Sequence, residues 1–164
     1  MMRSIKREAR VTLTYMDREV LFLCTGNYYR SRFAEMYFNA RAAQMGIKWR
    51  AVSRGIAKEL GAGLPGPVSP LVLDRLAALG LDSAADRRAP LQLQEADLAA
   101  AGLVIALDET EHLPLMRQRF AAWAERIDYW DVPDAHLLNT EDALARIAER
   151  VDALLQQLGS GSQG

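Results

Sequence analysis

The sequence predicts an α/β fold, a four-stranded parallel sheet with helices on both faces. Three observations carry that expectation. The runs Val20–Leu23 and Leu103–Leu107 are unbroken apolar stretches of strand length, as in strands covered on both sides. Between and after them lie segments whose apolar residues recur at three and four, the helical period. Gly and Pro punctuate the boundaries. Strand and helix in alternation build right-handed βαβ units, and hence a parallel sheet.

Each element follows from its residues. Glu19–Leu23 reads as the first, buried strand. From Ser31 to Met45 the period is helical, with Phe33, Ala34, Tyr37, Phe38, Ala42 and Met45 on one stripe and Gly46 as the stop. Lys48–Ser53 is the second strand, and Leu60–Pro67 is a loop by its Gly and Pro content. Ser69-Pro70 is an N-cap followed by Pro at the first helical position, and Gly80 closes that helix. A short helix follows around Gln94–Ala100, then the third strand at Leu103–Leu107 with Asp108 at its end. Glu111–Trp123 is helical if Pro114 lies in the first turn. Ile127–Trp130 is the fourth strand. The last helix carries Leu144, Ile147, Val151, Leu154, Leu155 and Leu158 on one face, with Asn139 or Thr140 as cap.

One domain is expected over residues 19–158. Residues 1–18 form an N-terminal extension with two readings: a disordered arm, or an edge strand in which Val11, Leu13 and Tyr15 alternate with threonines. Gly159–Gly164 is a polar Gly/Ser tail, expected to be flexible. The formal charge of −1 gives no reason to expect nucleic acid or a membrane surface as partner. A single cysteine excludes an internal disulfide and a Cys-rich metal site. His112 and His136 are too few and too far apart for a zinc set, so neither metal nor cofactor is expected. With no apolar run of spanning length and no secretory signal, the expected setting is cytoplasmic.

The chemistry concentrates in Cys24-Thr-Gly-Asn-Tyr-Tyr-Arg-Ser31. A strand ends on the thiol, a Gly-containing loop follows, and a helix begins at Arg30-Ser31. That arrangement aims backbone N–H groups at an anion. Cations and helix N-termini favour the thiolate over the thiol, and a thiolate is a nucleophile. A lone cysteine at a strand end is commonly inert packing. The guanidinium of Arg30, a fork for two phosphoryl oxygens, argues against that here. Thr25, Gly26, Asn27, Tyr28, Tyr29, Arg30 and Ser31 would together bind the phosphate. Gly26 would allow a positive φ or an unhindered amide, Asn27 would brace the loop or merely turn it, and Ser31 would cap the helix, donate to the sulfur, or both. A leaving oxygen needs a proton from a positioned acid. Asp134 and Asp131, in the loop after the fourth strand, are the candidates, with Asp134 preferred.

These residues resemble the low-molecular-weight protein tyrosine phosphatase family, whose signature is Cys, five residues, then Arg-Ser after the first strand. Ala34-Glu35, Ser53-Arg-Gly55 and Val132-Pro-Asp134 match further family features in the right order, over roughly residues 19–158. The resemblance implies a flavodoxin-like sheet of order 2-1-3-4 and a cysteinyl-phosphate intermediate. By position it makes Cys24 the nucleophile, Arg30 the phosphate clamp, Ser31 the thiolate partner and Asp134 the general acid. The substrate would be a phosphorylated protein, phosphotyrosine foremost, or a small phosphomonoester, and inorganic phosphate or sulfate would occupy the loop.

The chain departs from the family pattern at three places. Tyr29 stands where many members carry a second cysteine, and Arg32 stands where Pro is usual. Ala135-His-Leu-Leu138 replaces the Pro and aromatic residues after the acid, which weakens phosphotyrosine specificity more than phosphoryl chemistry. Tyr28 and Tyr29 would either rebuild an aromatic wall or block the mouth. Arg32, Arg54, Arg87 and Arg88 would form a basic rim or a scattered solvated set. Two other functions compete with phosphomonoester hydrolysis. One is arsenate reduction with an external small thiol, since a lone Cys24 cannot run the thioredoxin-coupled route. The other is a non-catalytic phosphate- or phosphoprotein-binding module, with the cradle intact and the acid loop altered. Phosphoarginine hydrolysis, by the same mechanism, is disfavoured by the bulk of Tyr28.

Overall fold

The computed structural model describes residues 18–81, 87–134 and 139–161. The readings of residues 1–17, of Ala135–Leu138 and of the last three residues lie outside them. In chain order the elements are β1 (Glu19–Cys24), α1 (Arg30–Met45), β2 (Arg50–Gly55), a 3₁₀ turn (Lys58–Gly61), α2 (Pro70–Ala78), α3 (Glu95–Ala100), β3 (Leu103–Ala106), α4 (Glu109–Arg119), β4 (Asp128–Tyr129) and α5 (Thr140–Gly161). All strands pair in parallel, in the order β2-β1-β3-β4. This is the expected flavodoxin-like sheet.

β1 is central, and its alternation divides the core into two layers. Val20 and Phe22 face one side, where they pack with Phe33, Phe38, Leu144, Ile147 and Val151 of α1 and α5. Leu21 and Leu23 face the other, against Leu93, Leu98 and Met116 from the α3 and α4 side. Continuous burial on both faces is why this strand reads as an unbroken apolar run. Phe22 lies at the layer's centre, with ring centroids 6.1 Å from Phe38 and 5.6 Å from Trp130. Among the described residues no helix is long and apolar enough to cross a membrane.

Local signals act as read at several ends. Gly46 takes the left-handed conformation after α1. The Ser69 side chain accepts the Leu71 N–H, with Pro70 in the first turn of α2. Asn139 Oδ1 accepts the Asp142 N–H at 2.9 Å, so Asn139, not Thr140, caps α5.

Other elements differ from expectation. β2 is shifted two residues towards the C-terminus, and a 3₁₀ turn forms within the Gly-rich loop. α4 starts at Glu109 and ends at Arg119, which puts Pro114 beyond the first turn. The helix tolerates it by forgoing the hydrogen bond that Pro114 cannot donate to Thr110. Met45, expected on the apolar stripe, is exposed, and the buried face of α1 instead includes Arg30, Ser31, Arg32 and Glu35. α5 runs on through Gly159 to Gly161, where a flexible tail was expected. Gly159 lies against Ile47, whose Cδ1 would be 3.3 Å from an added Cβ, so contact with the residue after α1's cap holds this end of the helix.

Candidate active site

The carboxyl ends of β1, β2 and β3 open onto one end of the sheet, where parallel α/β folds place their ligands. β1 ends on Cys24, the loop 25–29 turns, and α1 begins at Arg30. Tyr29 holds the N-cap position without a side-chain cap, so no side chain competes for the first-turn amides. Ser31 is therefore not the cap; it is the second residue of the helix, and its Oγ lies 2.9 Å from Cys24 Sγ. The positive φ of the loop falls on Asn27 (+56°), not on Gly26. Gly26 serves close approach instead, since an added Cβ would stand 3.3 Å from the Gly61 Cα. Gly55, paired with Cys24 across the strands, serves it more strictly: a Cβ there would meet Thr25 O at 2.9 Å.

Asn27 is fully buried, and its carboxamide has a partner for every polar atom. Oδ1 accepts from Arg88 Nη1 and from the Leu91 N–H, both at 3.0 Å. Nδ2 donates to Ser31 Oγ at 2.8 Å and Ser53 Oγ at 2.9 Å. Ser53 passes its own proton to Glu35 Oε1 at 2.5 Å, and Arg88 Nη2 reaches the same oxygen at 3.2 Å. Arg32, wholly buried, donates to Arg88 O at 2.8 Å, with Nε 3.7 Å from Glu35 Oε1. Three of the four arginines follow neither reading: Arg32 and Arg88 brace the loop, and Arg54 pairs with Asp97 at 3.4 Å, while Arg87 is exposed.

Arg30 is buried, with Nη1 donating to Val132 O at 2.9 Å and Nη2 to Glu111 Oε2 at 2.8 Å. Thr25 Oγ1 donates to that same carboxylate oxygen. His112 Nδ1 accepts the Asp108 N–H at 3.0 Å, which leaves its proton on Nε2, 3.3 Å from Glu111 Oε2. Burial works against the charge on Glu111, but the imidazole N–H, the guanidinium and the Thr25 hydroxyl outweigh it and hold the carboxyl below its ordinary range. Burial likewise opposes the Arg30 charge, and the Glu111 partner reverses the effect and raises its pKa. His112 is pushed down, by burial first, and is neutral.

Cys24, Thr25, Gly26, Tyr28, Tyr29, Arg30, Leu60, Gly61, Leu64, Glu111 and Asp134 line one cavity of about 180 Å³. Tyr28 OH donates to Pro65 O at 2.6 Å and Tyr29 OH to Thr140 O at 3.2 Å, so both rings are walls tied to neighbouring segments. Of the two candidate acids, Asp134 lines the cavity. Asp131 Oδ1 instead accepts from Arg150 of α5 at 2.5 Å. Sequence reasoning missed the parts that Glu111, His112, Glu35 and Arg88 play around the loop. For Glu111 a signal existed: it stands three residues after the N-cap Asp108, the pattern of a capping box. His112 holds the N–H that such a Glu would reach, and the carboxylate turns to the loop instead.

Comparison with known proteins agrees with this geometry. The sequence profile of the family described as low molecular weight phosphotyrosine protein phosphatase matches residues 19–163. The chain is similar to the low molecular weight protein tyrosine phosphatase from T. tengcongensis, with 30% identity, TM-score 0.66, and coverage of 87% of this chain and 98% of that one. It is also similar to YfkJ from Bacillus subtilis, with 27% identity, TM-score 0.70 and coverage of 87% and 95%. Vibrio vulnificus Wzb, solved with benzylphosphonate, shares the fold at 19% identity, TM-score 0.70 and coverage of 85% and 98%. No curated protein matches the sequence.

Two consequences of the geometry are measurable. Gly55→Ala should push the loop at Thr25 and Gly26 out of place and weaken binding of inorganic phosphate by at least about tenfold. Titration calorimetry reads this, with circular dichroism as the control for folding. His112 is held neutral, so below its unfolded value of 6.5 the unfolded chain binds more protons and stability falls with pH. His112→Asn, which keeps an acceptor for the Asp108 N–H, should flatten the denaturant midpoint between about pH 7 and about pH 5.

Proposed function

The chain belongs to the low molecular weight phosphotyrosine protein phosphatase family and is a cysteine-dependent phosphatase, and we propose that it hydrolyses phosphomonoesters, phosphotyrosine on protein foremost, through a cysteinyl-phosphate intermediate. The observation that carries this reading is the Cys24 sulfur, 2.9 Å from the Ser31 hydroxyl, in a cavity that the buried Arg30 and Asp134 also line.

In the first step the phosphoryl group lies over the loop, where backbone amides and the N–H groups of Arg30 not spent on Val132 and Glu111 hold its oxygens. The Cys24 thiolate forms the S–P bond as the P–O bond breaks, and Asp134 gives its proton to the leaving oxygen. In the second step the Asp134 carboxylate takes a proton from water, whose oxygen displaces sulfur from phosphorus. Ser31 stabilises the departing thiolate. Its hydroxyl is available for this because Asn27 Nδ2 already donates to the same oxygen. Leu60, Leu64, Tyr28 and Tyr29 surround the mouth with apolar and aromatic surface suited to a phenyl ring. The benzylphosphonate held by V. vulnificus Wzb, a protein of the same fold, is consistent with that class of substrate. Neither metal nor cofactor enters these steps, and a cytoplasmic setting fits an enzyme that depends on one reduced thiol.

The test is turnover of para-nitrophenyl phosphate and of a phosphotyrosine peptide. Cys24→Ser should abolish both. Asp134→Ala should cost about 10²–10⁴-fold on the peptide and much less on the nitrophenyl ester, whose leaving group needs little protonation. Asp131→Ala, outside the cavity, should leave both rates near wild type. Wild-type protein that binds phosphate without turnover would favour the binding module. Thiol-dependent arsenate reduction without phosphatase activity would favour the reductase.

A further inference from the structure

Glu111 has no role in the steps above, yet it contacts the loop at two points. A single atom, Oε2, receives the hydroxyl of Thr25, one residue after the nucleophile, and Nη2 of Arg30, the loop's last donor. The carboxylate therefore closes the loop end to end. Val132 O holds Arg30 Nη1 from the opposite side, so both arms of the fork are pinned and the guanidinium plane cannot turn. His112, wholly buried, stands behind the clasp and occupies the backbone N–H that a Glu at this helical position would otherwise reach.

From this arrangement we propose that Glu111 is a positioning residue for the phosphoryl transfer, which fixes the direction of the Arg30 N–H groups towards the transition state. The proposal rests on the phosphatase reading. Its physical basis is a contrast between two requirements. A resting phosphate dianion needs positive charge nearby, which a loose Arg30 supplies as well as a pinned one. A five-coordinate phosphorus presents its equatorial oxygens in one plane, and donors aimed in advance stabilise that geometry without reorganising. The negative charge of Glu111 also tempers the attraction of the cradle for a ground-state dianion. Glu111 thus serves kcat rather than KM.

Glu111→Ala should lower kcat for para-nitrophenyl phosphate about 10- to 100-fold, with KM unchanged or reduced. Inorganic vanadate, which binds as a five-coordinate mimic, should lose affinity relative to inorganic phosphate by a similar factor. Glu111→Gln keeps an acceptor oxygen for Thr25 and Arg30 and should recover most of kcat. Thr25→Val, which cuts one arm of the clasp, should fall between. A merely structural role would lower the amount of folded enzyme without changing the ratio of vanadate to phosphate affinity. The proposal fails if Glu111→Ala keeps wild-type kcat, if the loss lies in KM alone, or if Glu111→Gln is as poor as Glu111→Ala. Should the Ala variant not fold, Glu111→Gln and Thr25→Val decide by the same affinity ratio. If wild-type protein turns nothing over, the phosphatase reading falls, while the vanadate-to-phosphate ratio still tests the clasp.

Discussion

An arginine can only donate hydrogen bonds, and that limitation at Arg88 sets the polarity of the whole site. Because Arg88 Nη1 and the Leu91 N–H both point at Asn27, the carboxamide oxygen must face them. Its NH₂ must then face Ser31 and Ser53, and each hydroxyl, having accepted from Nδ2, must spend its proton elsewhere. Ser53 spends it on Glu35. Ser31 has the sulfur of Cys24. A buried network with one consistent direction delivers a donor to the nucleophile, although no member of it but Ser31 touches the sulfur.

The same network stabilises a backbone that would otherwise be unfavourable. Asn27 has a positive φ, which costs a residue with a Cβ, though Asn bears it better than most. Four hydrogen bonds to its side chain, from three separate segments, hold it there. The segments meet because the fold brings them together. β2 runs beside β1, so Ser53 lies next to the loop. The stretch around Gln92 pairs with Gly55, which carries Arg88 and Leu91 to the far side of Asn27. The buried charges of Arg32 and Glu35 and the half-buried Arg88 compensate one another under the loop, and this explains why α1 hides so many polar side chains.

What was legible in the sequence was what is local. Cys24, Asn27, Arg30 and Ser31 occupy one contiguous stretch between a strand and a helix, and their spacing states their geometry. The sheet order was legible through the family resemblance, and the presence of four parallel strands through periodicity alone. What was not legible depends on residues distant in sequence. Arg32 and Arg88 read as surface arginines because nothing nearby shows that Glu35 and Asn27 await them. Glu111 read as the start of a helix because its loop partners lie more than eighty residues earlier. The two candidate acids looked alike until α5 supplied Arg150 to one of them. Met45 failed for a simpler reason: it is the last residue of the helix and stands exposed there.

The role of Tyr29, at the position where the family resemblance would place a second cysteine, follows the same logic of distant partners. A neighbouring thiol could cap an oxidised nucleophile by forming a disulfide, but Cys24 is the chain's sole cysteine. The aromatic side chain supplies something different. Its hydroxyl, kept protonated by burial, bonds to the carbonyl of Thr140 at the start of α5. That helix packs along α1 through Ile147 and Val151 and holds the backbone carbonyl of Asp131 through Arg146. Tyr29 therefore joins the phosphate loop to the element that anchors the near end of the acid segment, while Arg30 Nη1 joins it to Val132 two residues before Asp134. The cysteine and the proposed acid are distant in sequence, and these two adjacent residues tie the phosphate loop to the segment that carries Asp134. With one cysteine the chain has no internal disulfide route back from oxidation, and at position 29 it has a brace between the loop and α5 instead.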